Sequence, residues 1–302
     1  MNIAVHGREF SSDVKEYVQQ IFDELTFHQV TYQLSHSFSQ ILKEAGILFE
    51  DAHIYHSTES IFKADLVLSI GGDGTVLETI AHVGSREIPV LGINFGRLGF
   101  LASVPTHQIK HAIQKIVNRQ YALDARTMLQ ATTPIGLFQG QVNFALNEIA
   151  LSKTDTSSMI IVHTYINGQF LNSYWADGLM VATATGSTGY SLSCGGPLVM
   201  PHSANFIITP ICPHNLFVRP MIVSDDSEIA LKVESRSNNF LVSMDSRARV
   251  IGDVDTFITI KKESFKAHLI TLDGDEFLST LRQKLGWGRD IRNKSSLNNL
   301  PT

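Results

Sequence analysis

Leu66-Val67-Leu68-Ser69-Ile70 is followed directly by Gly71-Gly72-Asp73-Gly74-Thr75. The first five residues form a continuous run rather than an alternating one. That implies a strand buried on both faces, as in a parallel sheet covered by helices. The glycines permit a sharp turn and a close backbone approach. A helix reads from Thr75 to about His82, and the next strand from Pro89 to Ile93. Strand, turn, helix and strand in this order give an open α/β domain.

Upstream, Ile3 and Val5 suggest a first strand. Ser11 or Ser12 then caps a helix with an apolar stripe at Val14, Tyr17, Val18, Ile21, Phe22 and Leu25. A second helix runs through Phe38, Ile41, Leu42 and Ala45 to Gly46, and Ile47–Phe49 reads as a strand. Downstream of about Arg126 the helical period fades. Ile160–Ile166, Asn167-Gly168 and Gln169–Trp175 read as a β-hairpin on a type I′ turn. Ile229–Val233, Phe240–Met244, Phe257–Lys261 and Ala267–Leu272 follow as short strands of a mainly β domain. Glu276–Leu285 is a last helix, with Phe277, Leu278, Leu281 and Leu285 on one face. The polar tail 289–302 is expected to be mobile. The divisions expected are 1–125 (α/β), 126–272 (β-rich) and 273–302, a segment packing back on the first domain.

The chain has 302 residues, 43% of them apolar and 18% charged, enough for a buried core in about two domains. A net charge of −5 lacks the positive field that non-specific nucleic-acid binding needs, and it disfavours anionic membrane surfaces. No apolar run reaches the ~18 residues of a membrane span, and the first residues do not read as a signal peptide. Two cysteines, Cys194 and Cys212, exclude a disulfide scaffold and suit free thiols in a reducing cytoplasm.

The chemistry gathers in three glycine-rich stretches. Gly71, Gly72, Gly74 and Thr75 at a helix start make a phosphate-approach loop. The loop lacks the lysine of a P-loop, and Leu77 stands where a dinucleotide fingerprint has its third glycine. Asp73 beside phosphates needs a task. It takes a proton from a hydroxyl, helps place Mg²⁺, or only caps the helix. A second loop runs from Gly92 to Phe100. In the third, Thr183–Pro197, hydroxyls, backbone N–H groups and Tyr190 are offered to a polar ligand. Asn147-Glu148 interrupts the apolar run Phe144–Leu151, so this pair is satisfied internally or reserved for a ligand. His107 and His111 have metal-compatible spacing but no third ligand, so they read as a solvated face and no metal site is assigned. Cys194 has no sequence-near base to make it a nucleophile, and Cys212, between Pro210 and Pro213, reads as buried. Arg219 reads as a structural bridge.

Gly71–Thr75, Leu98-Gly99-Phe100, Asn147-Glu148, Asp177-Gly178-Leu179, Thr185–Thr188 and Gly195-Gly196-Pro197 occur in the order of the NAD kinases, and the chain resembles that family from Met1 to about Gly288. The resemblance implies an α/β N-terminal domain, a β-rich C-terminal domain and a C-terminal segment returning to the first. It implies transfer of the ATP γ-phosphoryl group to the 2′-hydroxyl of the adenosine ribose of NAD, with Mg²⁺ arriving on ATP. Asp73 would accept the proton. Gly74 would contact NAD through its backbone, and Phe100 would border the adenine. Asn147 and Glu148 would hold NAD hydroxyls, and Asp177 the nicotinamide side, from a neighbouring subunit of a homodimer or homotetramer. Thr188, Gly189, Tyr190, Ser191, Leu192 and Ser193 would wrap the nucleotide. Three departures stand out: Trp175 where many members have a basic residue, Arg247 in Asp245-Ser246-Arg247 where Asp-Gly-Gln is common, and Ala184 and Gly189 for proline and alanine. Arg247 would replace the amide contact or bind a phosphate. The rivals are a lipid or sugar kinase sharing the GGDG loop, and a non-catalytic dinucleotide sensor.

Overall fold

The computed structural model describes residues 1–50, 52–55, 64–96, 99–133, 142–156, 158–252, 255–272 and 277–287. Arg97, Leu98, Glu276 and the tail 289–302 therefore lie outside the described residues. Two compact units emerge: residues 1–76, 89–124 and 269–302 in one, residues 77–88 and 125–268 in the other.

The first unit is built on a mainly parallel sheet. Its strand order is His53–Tyr55, Thr31–Ser35, Asn2–Gly7, Leu66–Ile70, Val90–Asn94, Ala267–Thr271, Ala122–Arg126, with Val104–Pro105 also on Val90–Asn94. Leu66–Ile70 and Val90–Asn94 are buried throughout, as the run of apolar residues dictates. Helix Lys15–Phe27 buries Val18, Ile21, Phe22 and Leu25. Burial of each such side chain stabilises the fold by roughly 1.5–3 kcal/mol.

Several readings change here. Ile47–Phe49 is not a strand. The Ile47 and Gly46 N–H groups bond the Leu42 and Lys43 carbonyls, a helix-closing turn that needs an apolar residue at 47 to pack on the helix it ends. The strand is Thr31–Ser35 instead, which Thr31, Gln33 and Ser35 disguise as polar. Tyr17 is exposed at the edge of its helix, and Leu278 points to solvent, so the C-terminal helix Phe277–Leu285 buries Leu281. Ala267–Thr271 does not join the antiparallel strands. Leu269 pairs in parallel with Val90, which makes this late strand an interior member of the first sheet.

The second unit holds two six-stranded sheets, one ordered Met221–Ser224, Asn205–Ile211, Gly178–Thr183, Glu148–Ser152, Phe240–Met244, Arg247–Ile251, the other Gln169–Ala176, Ile160–Ile166, Ile229–Glu234, Phe257–Lys262, Leu129–Thr132, Phe144–Ala145. Their pairings are antiparallel. Residues from both inner faces share one core, including Leu129, Val162, Leu231, Ile149, Val181 and Phe206. The hairpin turns through Asn167 and Gly168 at φ 50° and 78°, as a type I′ turn requires. The polar pair in Phe144–Leu151 marks a crossing: Phe144–Ala145 lies in one sheet and Glu148–Ser152 in the other. Among the described residues no helix is long and apolar enough to cross a membrane.

Candidate functional site

The sequence-derived site residues fall into two groups, one in each unit. In the first, the strand Leu66–Ile70 ends in the glycine loop and a helix starts at Asp73. A Cβ at Gly71 would overlap Thr75 Oγ1, so the turn itself demands that glycine. Gly72 and Gly74 differ, because a Cβ on either would meet nothing within 4 Å. Internal packing gives no reason for glycine there. Bare backbone at a helix N-terminus leaves room for an anion to approach the free N–H groups. Beside it a cavity of about 370 Å³ is lined by Arg8, Gly71, Gly72, Asn94 and Gly96. It sits where the strand order reverses, between Asn2–Gly7 and Leu66–Ile70, the usual ligand position of open α/β sheets.

The Asp73 carboxylate does not turn back to cap its helix. Oδ2 accepts the Phe100 N–H at 2.8 Å, while Oδ1 accepts those of Leu101 at 3.0 Å and Ala102 at 2.9 Å. Gly99 makes this possible, since a Cβ there would overlap Asp73 Oδ1. Lys284, which the sequence reading missed, brings Nζ to 3.8 Å from Asp73 Oδ2 and 4.5 Å from the Phe100 ring centre. Phe277 lies against the same ring at 6.1 Å. The signal was present: Lys284 stands seven residues after Phe277 and three after buried Leu281, a cation on an apolar face.

In the second unit Asp245 repeats the pattern. Its carboxylate accepts the N–H groups of Leu146 (2.9 Å), Asn147 (2.8 Å) and Glu148 (3.3 Å), and Arg247 Nη2 lies 3.9 Å away. These bonds fix the sheet-to-sheet crossing. Arg247 is turned inward: Nη2 donates to the Phe144 carbonyl at 2.5 Å and Nε to that of Met244 at 3.3 Å. On the two side chains next to Asp245, the buried atoms Glu148 Oε2 and Arg247 Nη1 make no hydrogen bond. Burial and the neighbouring Asp245 charge push the Glu148 carboxyl up to about 7, against a Tyr190 backbone hydrogen bond that lowers it. An unpaired acceptor and an unpaired donor beside one aspartate cost roughly 1–3 kcal/mol each unless something fills them.

The Thr183–Pro197 stretch is well anchored. The Thr183 hydroxyl donates to the Leu146 carbonyl at 2.6 Å and accepts the Gly186 N–H, and Arg126 Nη1 reaches Thr185 Oγ1 at 3.1 Å. A Cβ at Gly186 would overlap the Asn147 carbonyl, so this loop and the crossing lie in direct contact. Gly189 faces Glu148 Oε2 and the Asn147 amide, and Tyr190 is exposed. Leu192 and Ser193 follow on the short helix Tyr190–Ser193. Ser191 is turned inward onto Thr209 Oγ1 at 3.1 Å, and Thr188 Oγ1 bonds the Thr185 carbonyl. Asp177 pairs with Lys153 Nζ at 2.7 Å. Cys194 is half-buried and its thiol is pushed up by burial, which makes it less reactive. Cys212 is exposed, not buried: the chain takes a left-handed turn there, at φ 47°, as it leaves the strand ending at Ile211. Arg219 bonds the Leu216 and Val218 carbonyls, bracing its own loop. His107 and His111 are both exposed.

The family model of the ATP-NAD kinase N-terminal domain matches residues 11–121, and that of the C-terminal domain residues 146–272. An NAD kinase of Cytophaga hutchinsonii is 49% identical over 97% of this chain and 100% of its own length. One of Flavobacterium johnsoniae is 42% identical with the same coverage. Among solved structures, the yeast NADH kinase complexed with NADH aligns with a TM-score of 0.84 at 25% identity, covering 97% of this chain and 89% of that one. The NAD kinase of Archaeoglobus fulgidus in complex with ATP aligns at 0.73 with 27% identity, covering 95% and 98%. With both domains matched in order and relatives this similar over their full length, the chain belongs to the NAD kinase family.

Proposed function

We propose that this chain transfers the γ-phosphoryl group of ATP to the 2′-hydroxyl of the adenosine ribose of NAD. The 2′-oxygen forms a bond to the γ-phosphorus, and the bond to the bridging oxygen breaks with its electron pair leaving on ADP. The hydroxyl proton passes to Asp73. The observation that carries this reading is the pair of open glycines, Gly72 and Gly74, on either side of a carboxylate fixed by three backbone N–H groups. Phosphates approach the bare loop while the base is held still, and phosphoryl transfer depends on such positioning. Of the Asp73 oxygens, Oδ2 carries a single N–H bond and is the one with a lone pair to take the proton. Phe100, adjoining it, suits the adenine edge.

Magnesium would enter on the ATP phosphates and supply charge neutralisation. Asp73 fits it as one ligand at most, because its N–H bonds already fill most of its lone pairs. The polar groups of NAD suit the unpaired Glu148 Oε2, with Asn147 and Gly189 beside it, and the unpaired Arg247 Nη1 offers a further donor. Asp177, Ser191 and Thr188 would act through backbone or through a neighbouring copy, since their side chains already have partners. Exposed Met159 and Trp175 beside a cavity of about 440 Å³ support a homodimer or homotetramer. The two free thiols suit a cytoplasmic setting.

NADP formation from NAD with Mg-ATP tests the reading. The native chain is expected to turn over, and Asp73→Asn to lose about 10²–10⁴-fold, the usual contribution of a general base. Undiminished turnover in folded Asp73→Asn would sink the base role. No NADP from the native chain, with NAD bound, would favour a dinucleotide sensor.

A further inference from the structure

The C-terminal helix brings one cation to the reacting carboxylate. Lys284 Nζ stands 3.8 Å from Asp73 Oδ2, the oxygen with one N–H bond, and 4.5 Å from the centre of the Phe100 ring. Phe277, two turns earlier on the same helix, lies on that ring as well. The lysine side chain is 29% exposed and its partner 30%, so the contact is neither sealed in a core nor free in solvent. A surface pair of this kind adds little to stability. Its position gives it another use. A carboxylate beside a phosphoryl group about to be transferred repels it, and a cation fixed next to that carboxylate offsets the repulsion without having to move during reaction.

We propose that Lys284 is a positioning residue for phosphoryl transfer, acting through Asp73: its ammonium holds Oδ2 in place, compensates its charge toward the incoming phosphate and clamps the Phe100 ring that borders the nucleotide. This rests on Asp73 acting in the reaction proposed above. The chain order explains the arrangement. Asp73 opens one helix, Phe100 lies in a loop, and Lys284 sits near the end of the chain, so three distant segments must come together before the carboxylate is compensated. Lysine suits the task because a compact charge on a flexible stem reaches both an oxygen and a ring face.

The test compares native protein, Lys284→Met and Lys284→Arg by steady-state kinetics, NAD binding and thermal melting. Lys284→Met should keep its melting temperature and bind NAD within threefold of native, while kcat falls about 10- to 100-fold, less than loss of a donor that touches the transition state directly. Lys284→Arg should recover most of that kcat. Native kcat in Lys284→Met overturns the proposal. An equal loss in both variants also overturns it, because charge would then not be what matters. A loss of melting temperature matching the loss of kcat overturns it in favour of a structural role. If the native chain makes no NADP, the reading of the reaction fails and this inference with it. If the native chain is active and Lys284→Met equals it, only the inference fails.

Discussion

Asp73 and Asp245 are built alike and live differently. Each accepts three consecutive backbone N–H groups, those of residues 100–102 and 146–148, and each has a cation near 4 Å, Lys284 or Arg247. The Asp245 side chain is 3% exposed and that of Asp73 30%. The same device serves two ends because of that difference. Buried, it locks a chain crossing between sheets. Half open, it holds a carboxylate rigid and still leaves it in reach of solvent. Hydrogen-bonded geometry alone does not separate the two aspartates; access of solvent does.

Equilibrium denaturation tests whether the two aspartates differ as their exposure implies. Asp245→Ala should cost about 3–5 kcal/mol, since it strands three N–H groups and a partly buried guanidinium. A loss under about 1 kcal/mol would mean that the crossing holds without its lock. Next in size is Glu148, beside Asp245. Its carboxyl is raised from 4.5 to about 7 in the folded chain, so the folded state keeps a proton that the unfolded state releases. Stability should therefore fall as pH rises from about 4.5 to about 7, by about 3 kcal/mol, and level off above. Glu148→Gln should flatten that slope in a pH series of unfolding curves. A bound NAD molecule that pairs Oε2 should shift it. Smallest is the stability cost of Asp73→Asn. An amide turns one N–H acceptor into a donor facing donors, but water reaches the site, so about 1–2 kcal/mol is expected by the same denaturation. A cost equal to that of Asp245→Ala would erase the distinction drawn from exposure.

The local signals that survived into the structure were those with one physical cause. The run Leu66–Ile70 is doubly buried because nothing polar interrupts it except Ser69, and Asn167-Gly168 turns because both residues accept positive φ. Signals with two causes misled. Ile47 is apolar to close a helix, not to build a strand. Thr31–Ser35 is a buried strand written in polar letters. The glycine loops and Asn147-Glu148 were legible as chemistry, because bare backbone and a polar break in an apolar run each call for a ligand or a partner. Their partners were not legible. Lys284 lies 211 positions after Asp73 and Asp245 lies 97 after Glu148, and only the folded chain brings them together.

The strand Ala267–Thr271 bears on how the protein is made. It is an interior strand of the mainly parallel sheet, between Val90–Asn94 and Ala122–Arg126, yet it is synthesised only after nearly all of residues 125–268. The N-terminal sheet cannot close until residues 125–268 have been made, and until then Val90–Asn94 has only Val104–Pro105 on the edge that Leu269 will join at Val90. Non-local pairing of this kind is slow and leaves an open strand edge at risk of wrong partners. The β-rich unit, continuous from 125 to 268 apart from one short helical piece, has all its strands in hand earlier. On the nascent chain, the unit that begins first is therefore completed after the unit that begins later.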